Sequence, residues 1–217
     1  MEFRRELDEL LPQDLPERQR VVDLGARHLR LVEEANRQFN LTRILSPREA
    51  AIKHVVDSVL PWRHFAGTKH IVDAGTGAGF PGIPLALVLP GIRFTLAESI
   101  GKKARFVESA VDELGLRNVE VLSRRAEEIL VTMRPGLITA RAVAPIGRFA
   151  AVFASAIRNG SVALLYKGPD AEAEIADAVP ELRKAKLKAK VVETSNLPDA
   201  AGVRTLVALT PAGGNKA

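Results

Sequence analysis

Between Ile71 and Gly82 the chain reads Ile-Val-Asp-Ala-Gly-Thr-Gly-Ala-Gly-Phe-Pro-Gly. An apolar run ends at Asp73, and Gly75, Gly77, Gly79 and Gly82 follow it. Glycine admits positive φ and lets a ligand approach the main chain where a Cβ would collide. Pro81 has the φ of a first helical turn and lacks an N–H that would be orphaned there. Ile83 to Val88 then reads as a short apolar helix. Strand, glycine turn and helix N-terminus together make a nucleotide pocket, the usual opening unit of a doubly wound α/β domain.

Which nucleotide it takes depends on register. Gly77-x-Gly79-x-x-Gly82 satisfies the dinucleotide pattern G-x-G-x-x-G, but in that fold the first glycine follows the strand almost directly, and here that place belongs to Gly75. Asp73 would repel a pyrophosphate; it suits a cofactor bearing an amine or a sulfonium, such as S-adenosyl-L-methionine. A second strand, Arg93 to Ala97, ends at Glu98, placed to accept hydrogen bonds from ribose hydroxyls. Glu98 serves either cofactor class. A merely structural turn rarely needs so many glycines and an acid at both strand ends.

Asp73 to Leu85, read with Glu98-Ser99-Ile100-Gly101-Lys102-Lys103-Ala104-Arg105-Phe106, resembles the glucose-inhibited division protein B family of bacterial small-subunit (16S) ribosomal RNA guanine-N7 methyltransferases. Asn40-Leu41-Thr42-Arg43-Ile44, Lys53-His54-Val55-Val56-Asp57-Ser58, Arg125-Ala126-Glu127-Glu128, Ala140-Arg141-Ala142-Val143-Ala144-Pro145 and Tyr166-Lys167-Gly168-Pro169 extend it in family order from Leu31 to Leu209. The resemblance implies a Rossmann-like class I methyltransferase fold: a mostly parallel seven-stranded sheet with an antiparallel C-terminal pair, plus an N-terminal helical extension. It implies S-adenosyl-L-methionine as cofactor, with Asp73, Gly75, Gly77, Gly79, Phe80, Glu98, Ala126, Glu127 and Arg141 around it. Glu128 reads instead as an ordinary acid of a first helical turn. The chain departs from the family at Arg204-Thr205, where members often carry Arg-His.

The elements that must position these residues alternate. Strands are expected near 70–74, 93–98, 119–122, 137–141 and 161–166 with helices between them, which argues a parallel sheet covered on both faces. Lys190 to Thr194 and Val203 to Leu209 read as a closing pair of strands around the turn-rich Asn196-Leu197-Pro198-Asp199. From Leu15 to about Phe65 apolar residues recur at helical spacing, with Leu24, Leu31 and Ala35 among them. A further helix is expected to start at Ser46-Pro47, with Ser46 as N-cap and Glu49 in the first turn, and to stop before Pro61. The domain expectation is a helical extension over residues 1–66, a cofactor-binding domain over 67–211 and a flexible tail over 212–217.

Arg141 leaves a buried strand at the ligand edge, which is costly unless it meets an anion or a hydrogen-bonding base. Substrate or cofactor positioning and a structural ion pair both answer that need. The Asn/Asp-Pro-Pro-aromatic box of amino-directed methyltransferases is absent after Arg141, and the chain has no cysteine for covalent attack on a pyrimidine. A guanine N7 already carries a lone pair and needs neither device, so no general base is nominated; alignment does the work. His54 and Asp57 lie three apart on one helical face and read as a polar interior pair.

Lys102, Lys103, Arg124, Arg125, Arg148 and Lys167 fall after successive strands and are expected to form one positive rim that touches RNA phosphates. Arg183, Lys184, Lys186, Lys188 and Lys190 read as a solvated face. With one Trp and one Tyr, a stacking platform for single strands finds little support. Phe80 is expected to pack on the cofactor; Trp62 and Phe65 are expected to anchor the N-terminal helices.

Composition bounds the rest. A chain of 217 residues with net charge +5 and no cysteine fits a single domain with an appendage in a reducing cytoplasm. Four histidines make a multi-histidine metal centre unsupported, and no apolar run spans a membrane. The expected partner is small-subunit ribosomal RNA, alone or within the ribosomal subunit or an assembly intermediate, met by a monomer. A methyltransferase acting on another RNA or a small molecule is the alternative within the fold, and an NAD-dependent oxidoreductase the one outside it.

Overall fold

The computed structural model describes residues 2–44 and 46–213; Gly214 to Ala217, most of the expected tail, lie outside the described residues. Seven strands form one sheet among them: β1 (His70–Ala74), β2 (Arg93–Ala97), β3 (Val119–Leu122), β4 (Leu137–Arg141), β5 (Val162–Lys167), β6 (Leu187–Asn196) and β7 (Val203–Pro211). Their order is β3-β2-β1-β4-β5-β7-β6, and only β7 runs antiparallel to its neighbours. Each expected strand lies within three residues of its observed start.

From β1 the chain winds outward to β3, then returns to the other side of β1 with β4. That reversal opens a crevice at the carboxyl ends of β1 and β4, where open α/β sheets bind ligands. Strand β1 is buried throughout because both faces are covered. Side-chain alternation sends Ile71 into one apolar cluster and Val72 and Ala74 into the other.

The first cluster joins the sheet to the N-terminal helices α1 (Glu2–Leu10) and α2 (Arg18–Asn36) and to α5 (Gly82–Val88) and α6 (Gly101–Glu113). Between α2 and α5, α3 (Pro47–Ala50) runs into a π-helical stretch (Ala51–Val56) and then α4 (Asp57–Val59). The second cluster packs α7 (Ala126–Ile129), α8 (Ile146–Arg158), α9 (Ala171–Asp177) and α10 (Val179–Ala185) on the opposite face.

Ser46 caps α3 as its type predicts, with Oγ accepting from the Glu49 amide at 3.3 Å. Within the expected helical extension, helical spacing starts earlier than Leu15, at α1. Its charges obscured Phe3, Leu7 and Leu11, which repeat every four residues and are all buried. Pro81 stands one place earlier than expected, as the residue preceding α5. Phe65 is fully buried against Tyr166, ring centres 6.1 Å apart, whereas Trp62 is only half-buried.

Candidate active site

The glycine loop leaves β1 and immediately crosses the end of β2, where the Gly75 and Thr76 amides donate to Ala97 O at 2.9 and 3.1 Å. Gly75 has φ +74°, and a Cβ there would stand 2.9 Å from Val143, in the segment after β4. Gly77 has φ +64°, and a Cβ there would meet nothing within 4 Å. The loop is therefore tight at its root and open at its crest.

Asp73 is fully buried, and its Oδ2 accepts from the Thr76 hydroxyl at 2.7 Å and the Gly82 amide at 2.9 Å. Its other oxygen, Oδ1, is buried without a protein partner. Burial outweighs the two donors and pushes the carboxyl pKa up to about 6. A buried carboxylate oxygen without a donor fits a cationic or N–H-bearing ligand group. The raised pKa has two signed consequences. Without ligand, the stability tied to Asp73 is full below the usual carboxylate range and is lost as pH rises through about 6. A cationic ligand instead selects the ionised form, so affinity for S-adenosylhomocysteine, followed by calorimetry between pH 5 and 7, is expected to fall as pH drops through about 6. Asp73→Asn should flatten that profile; a wild-type profile already flat would separate Asp73 from the ligand's charge.

Glu98 sits buried at the end of β2, with Oε2 accepting from Gly77 N at 3.1 Å and Oε1 from Ile100 N at 2.8 Å. It holds the loop crest and the entry to α6 together. Beside it opens a cleft of about 240 Å³ bounded by Gly75, Ser99, Ala126, Glu127, Val143 and Arg148. The cleft thus brings together Gly75, Ala126 and Glu127, three of the sequence-nominated cofactor contacts, with Asp73 and Glu98 at the strand ends that bound it. Arg124, Arg125 and Arg148 stand exposed at its mouth. Two of them form solvated ion pairs, Arg124 with Glu128 at 3.6 Å and Arg125 with Glu127 at 3.7 Å.

Phe80 points away from this cleft. Its ring is stacked between two buried imidazoles, His28 of α2 at 4.6 Å and His54 of the π-helical stretch at 4.5 Å. His28 Nε2 meets Ala78 O at 2.9 Å, and His54 Nε2 meets Thr42 Oγ1 at 3.1 Å. Burial drives the two pKa values down to about 4 and about 3, so both rings are neutral near pH 7. Neither His28 nor the Thr42–His54 link had a local sequence signal.

Arg141 ends β4 with its guanidinium 5.6 Å from the Phe80 ring centre. One of its nitrogens donates to Asp57 Oδ2 at 2.8 Å and to Lys53 O at 2.9 Å. Asp57 is fully buried and is also gripped by Arg204, at 2.5 Å to Oδ1 and 2.8 Å to Oδ2. The expected His54–Asp57 pair is therefore replaced: each side chain finds its partner on a different segment. Thr205, where the family often carries His, is buried in β7.

The basic rim gathers only in part. Lys167 is largely buried, its ammonium 2.7 Å from Glu174 and 2.9 Å from Ala144 O, so the structure places it inside the fold and off the rim. Lys102 is exposed, 5.5 Å from the Phe39 ring centre, and Lys103 is half-buried on the same first turn of α6. Neither has a carboxylate within 4 Å among the described residues.

A sheet of this order, with a glycine loop after β1 and acids at the carboxyl ends of β1 and β2, defines a Rossmann-like class I methyltransferase. The fold matches that of an O-methyltransferase from Bacillus cereus solved with SAH, at TM-score 0.59 and 21% identity over 94% of each chain. The family model for rRNA small subunit methyltransferase G (GidB) matches residues 22–202, and the chain belongs to that family. Ribosomal RNA small subunit methyltransferase G of Solibacter usitatus is 61% identical over 207 residues, covering 95% of this chain and 99% of the relative. The Stenotrophomonas maltophilia protein of the same name is 39% identical over 184 residues, covering 85% and 84%.

Proposed function

We propose that the protein transfers the methyl group of S-adenosyl-L-methionine to the N7 of a guanine in small-subunit ribosomal RNA. The near-full-length likeness to ribosomal RNA small subunit methyltransferase G carries the reading. The residues present fit the cofactor: the donor-less Oδ1 of Asp73 suits its ammonium, Glu98 its ribose hydroxyls, and the first turn of α7 its adenine. What the bound cofactor supplies is an electrophilic methyl carbon on a sulfonium.

The chain's own task is to align and to exclude water. A guanine N7 attacks with a lone pair, so no proton must leave before transfer. Consistent with that, His28 and His54 are neutral and buried behind Phe80, and Asp73 is committed to the loop. Arg141, fixed by Asp57, stands at the carboxyl edge of β4, where it can orient the base or the methionine carboxylate.

The test is methylation of deproteinised 16S RNA and of intact small subunits, with the modified atom mapped by mass spectrometry. A guanine modified at N7 is expected. Paired neutralisation among Lys103, Arg124, Arg125 and Arg148 should also weaken RNA binding and flatten its salt dependence, by about 0.7 log units per lost phosphate contact. Removing Lys184, Lys186 and Lys188, exposed on and after α10, should cost less. Methyl transfer to another atom, or RNA binding indifferent to salt and to the rim, would overturn the proposal.

A further inference from the structure

Phe39 is an aromatic side chain without a place in either apolar cluster. It follows α2 on a short turn, its amide donating to Ala35 O at 3.0 Å. Beyond it, Asn36 Oδ1 accepts from the Leu41 and Thr42 amides at 2.7 and 2.9 Å, so the turn is held at both ends. The half-exposed ring forms one wall of an open groove between α2 and α6, of about 450 Å³. Leu31 and Phe106, both packed on the core, make its floor. That is a volume of the size that takes a small molecule or one nucleotide, roughly 300–1,000 Å³.

The walls carry the charge. Lys102 and Arg105 lie three apart on α6 and therefore on one face. Both are exposed, and no carboxylate lies within 4 Å of either among the described residues, whereas Arg27 at the far end of the same helix pair is bridged to Glu113 at 3.0 Å. Glu34 is the one acid lining the groove. The groove also adjoins the candidate active site, because α6 begins three residues after Glu98, through an Ile100 that is 47% exposed.

We infer that this groove receives an unpaired base of the RNA, stacked on Phe39, with the adjoining phosphates on Lys102 and Arg105. The inference rests on the RNA reading above and adds to it a stacking site. Cations alone suit any polyanion; a half-exposed ring whose face is covered only by the mobile Lys102 ammonium at 5.5 Å suits a flat base, which displaces that ammonium toward its phosphate and stacks whatever its identity. An acidic protein segment would use the cations and leave the ring with little to do.

The test measures binding of a single-stranded oligouridylate and of deproteinised 16S RNA to the full chain, with S-adenosylhomocysteine affinity as the control. Phe39→Leu keeps the apolar bulk and removes the π surface; it should weaken both RNAs roughly ten-fold and leave the salt slope unchanged. Phe39→Trp should restore or exceed wild-type affinity. Lys102→Ala with Arg105→Ala should lower the salt slope by about 1.4, two contacts at about 0.7 each. S-adenosylhomocysteine affinity should hold in all of them. Equal RNA affinity in wild type, Phe39→Leu and Phe39→Trp would overturn the inference, as would a Phe39 effect confined to intact ribosomal subunits, which would assign the groove to a ribosomal protein. If wild type methylates 16S RNA and Phe39→Leu matches it throughout, the groove falls and the function stands. If wild type fails to methylate RNA, the function itself fails.

Discussion

Gly77→Val is expected to abolish measurable binding of S-adenosylhomocysteine while circular dichroism stays near native. At φ +64° a β-branched residue is strained by about 1–3 kcal/mol, and the loop escapes that strain by rotating its peptide. Rotation takes the Gly77 amide away from Glu98, so the loop crest and that carboxylate lose their mutual register. The new Cβ meets no protein atom, so the fold is spared, and the volume it takes is the open side of the loop. Strain and about one lost hydrogen bond together cost about 1.5–4.5 kcal/mol, roughly ten-fold to a thousand-fold in affinity, and the side chain's occupation of the open side of the loop adds to that. Gly75→Val is the contrasting variant: its side chain would collide with Val143, so it should lose stability along with binding. Calorimetry showing wild-type affinity for Gly77→Val would remove this loop from the cofactor site.

Asp57→Ala should be the most destabilising single truncation of a charged side chain described here. Asp57 is wholly buried between two guanidiniums, those of Arg141 and Arg204, themselves only 13% and 21% exposed. Deleting the carboxylate leaves both cations desolvated without a counter-ion, a situation that costs about 3–5 kcal/mol. For a chain of this size that corresponds to a fall in Tm of roughly 10 °C. Asp57→Asn keeps the shape and one acceptor and should lie between the two. Urea unfolding with unchanged m-value is the measurement. A loss below about 1 kcal/mol would mean that water or a rearranged side chain replaces the carboxylate, and Asp57 would then have no claim on the position of Arg141.

The sheet was legible because each strand is a short run of β-branched or apolar residues bounded by turn residues, as at His70–Ala74 before the glycines and Val203–Pro211 after Gly202. Asp73 and Glu98 could be nominated because each stands at the edge where a parallel strand ends, and that edge follows from element order; Ala126, at the start of α7, came from the family resemblance. What stayed hidden depends on distance. Arg204 meets Asp57 from 147 residues away, and nothing local marks either as half of a pair. Lys167 looked like a rim residue from its place at the end of β5, but Glu174, one turn into α9, draws its ammonium inward. Phe39 and Phe106 are too far apart in sequence to suggest a shared groove. Helix α1 lies within the expected helical extension, and the four-residue repeat of Phe3, Leu7 and Leu11 was the signal that could have placed it.

The ring of Phe80, held between imidazoles of α2 and the π-helical stretch, ties the glycine loop to the N-terminal helices. Whatever steadies the glycine loop also steadies the two segments that clasp that ring, and thermodynamic reciprocity makes the effect equal in both directions. Amide protons of α2 around His28, which meets the loop at Ala78 O, should therefore exchange more slowly when the cleft is filled. Such slowing would mark the helical extension and the sheet domain as one cooperative unit.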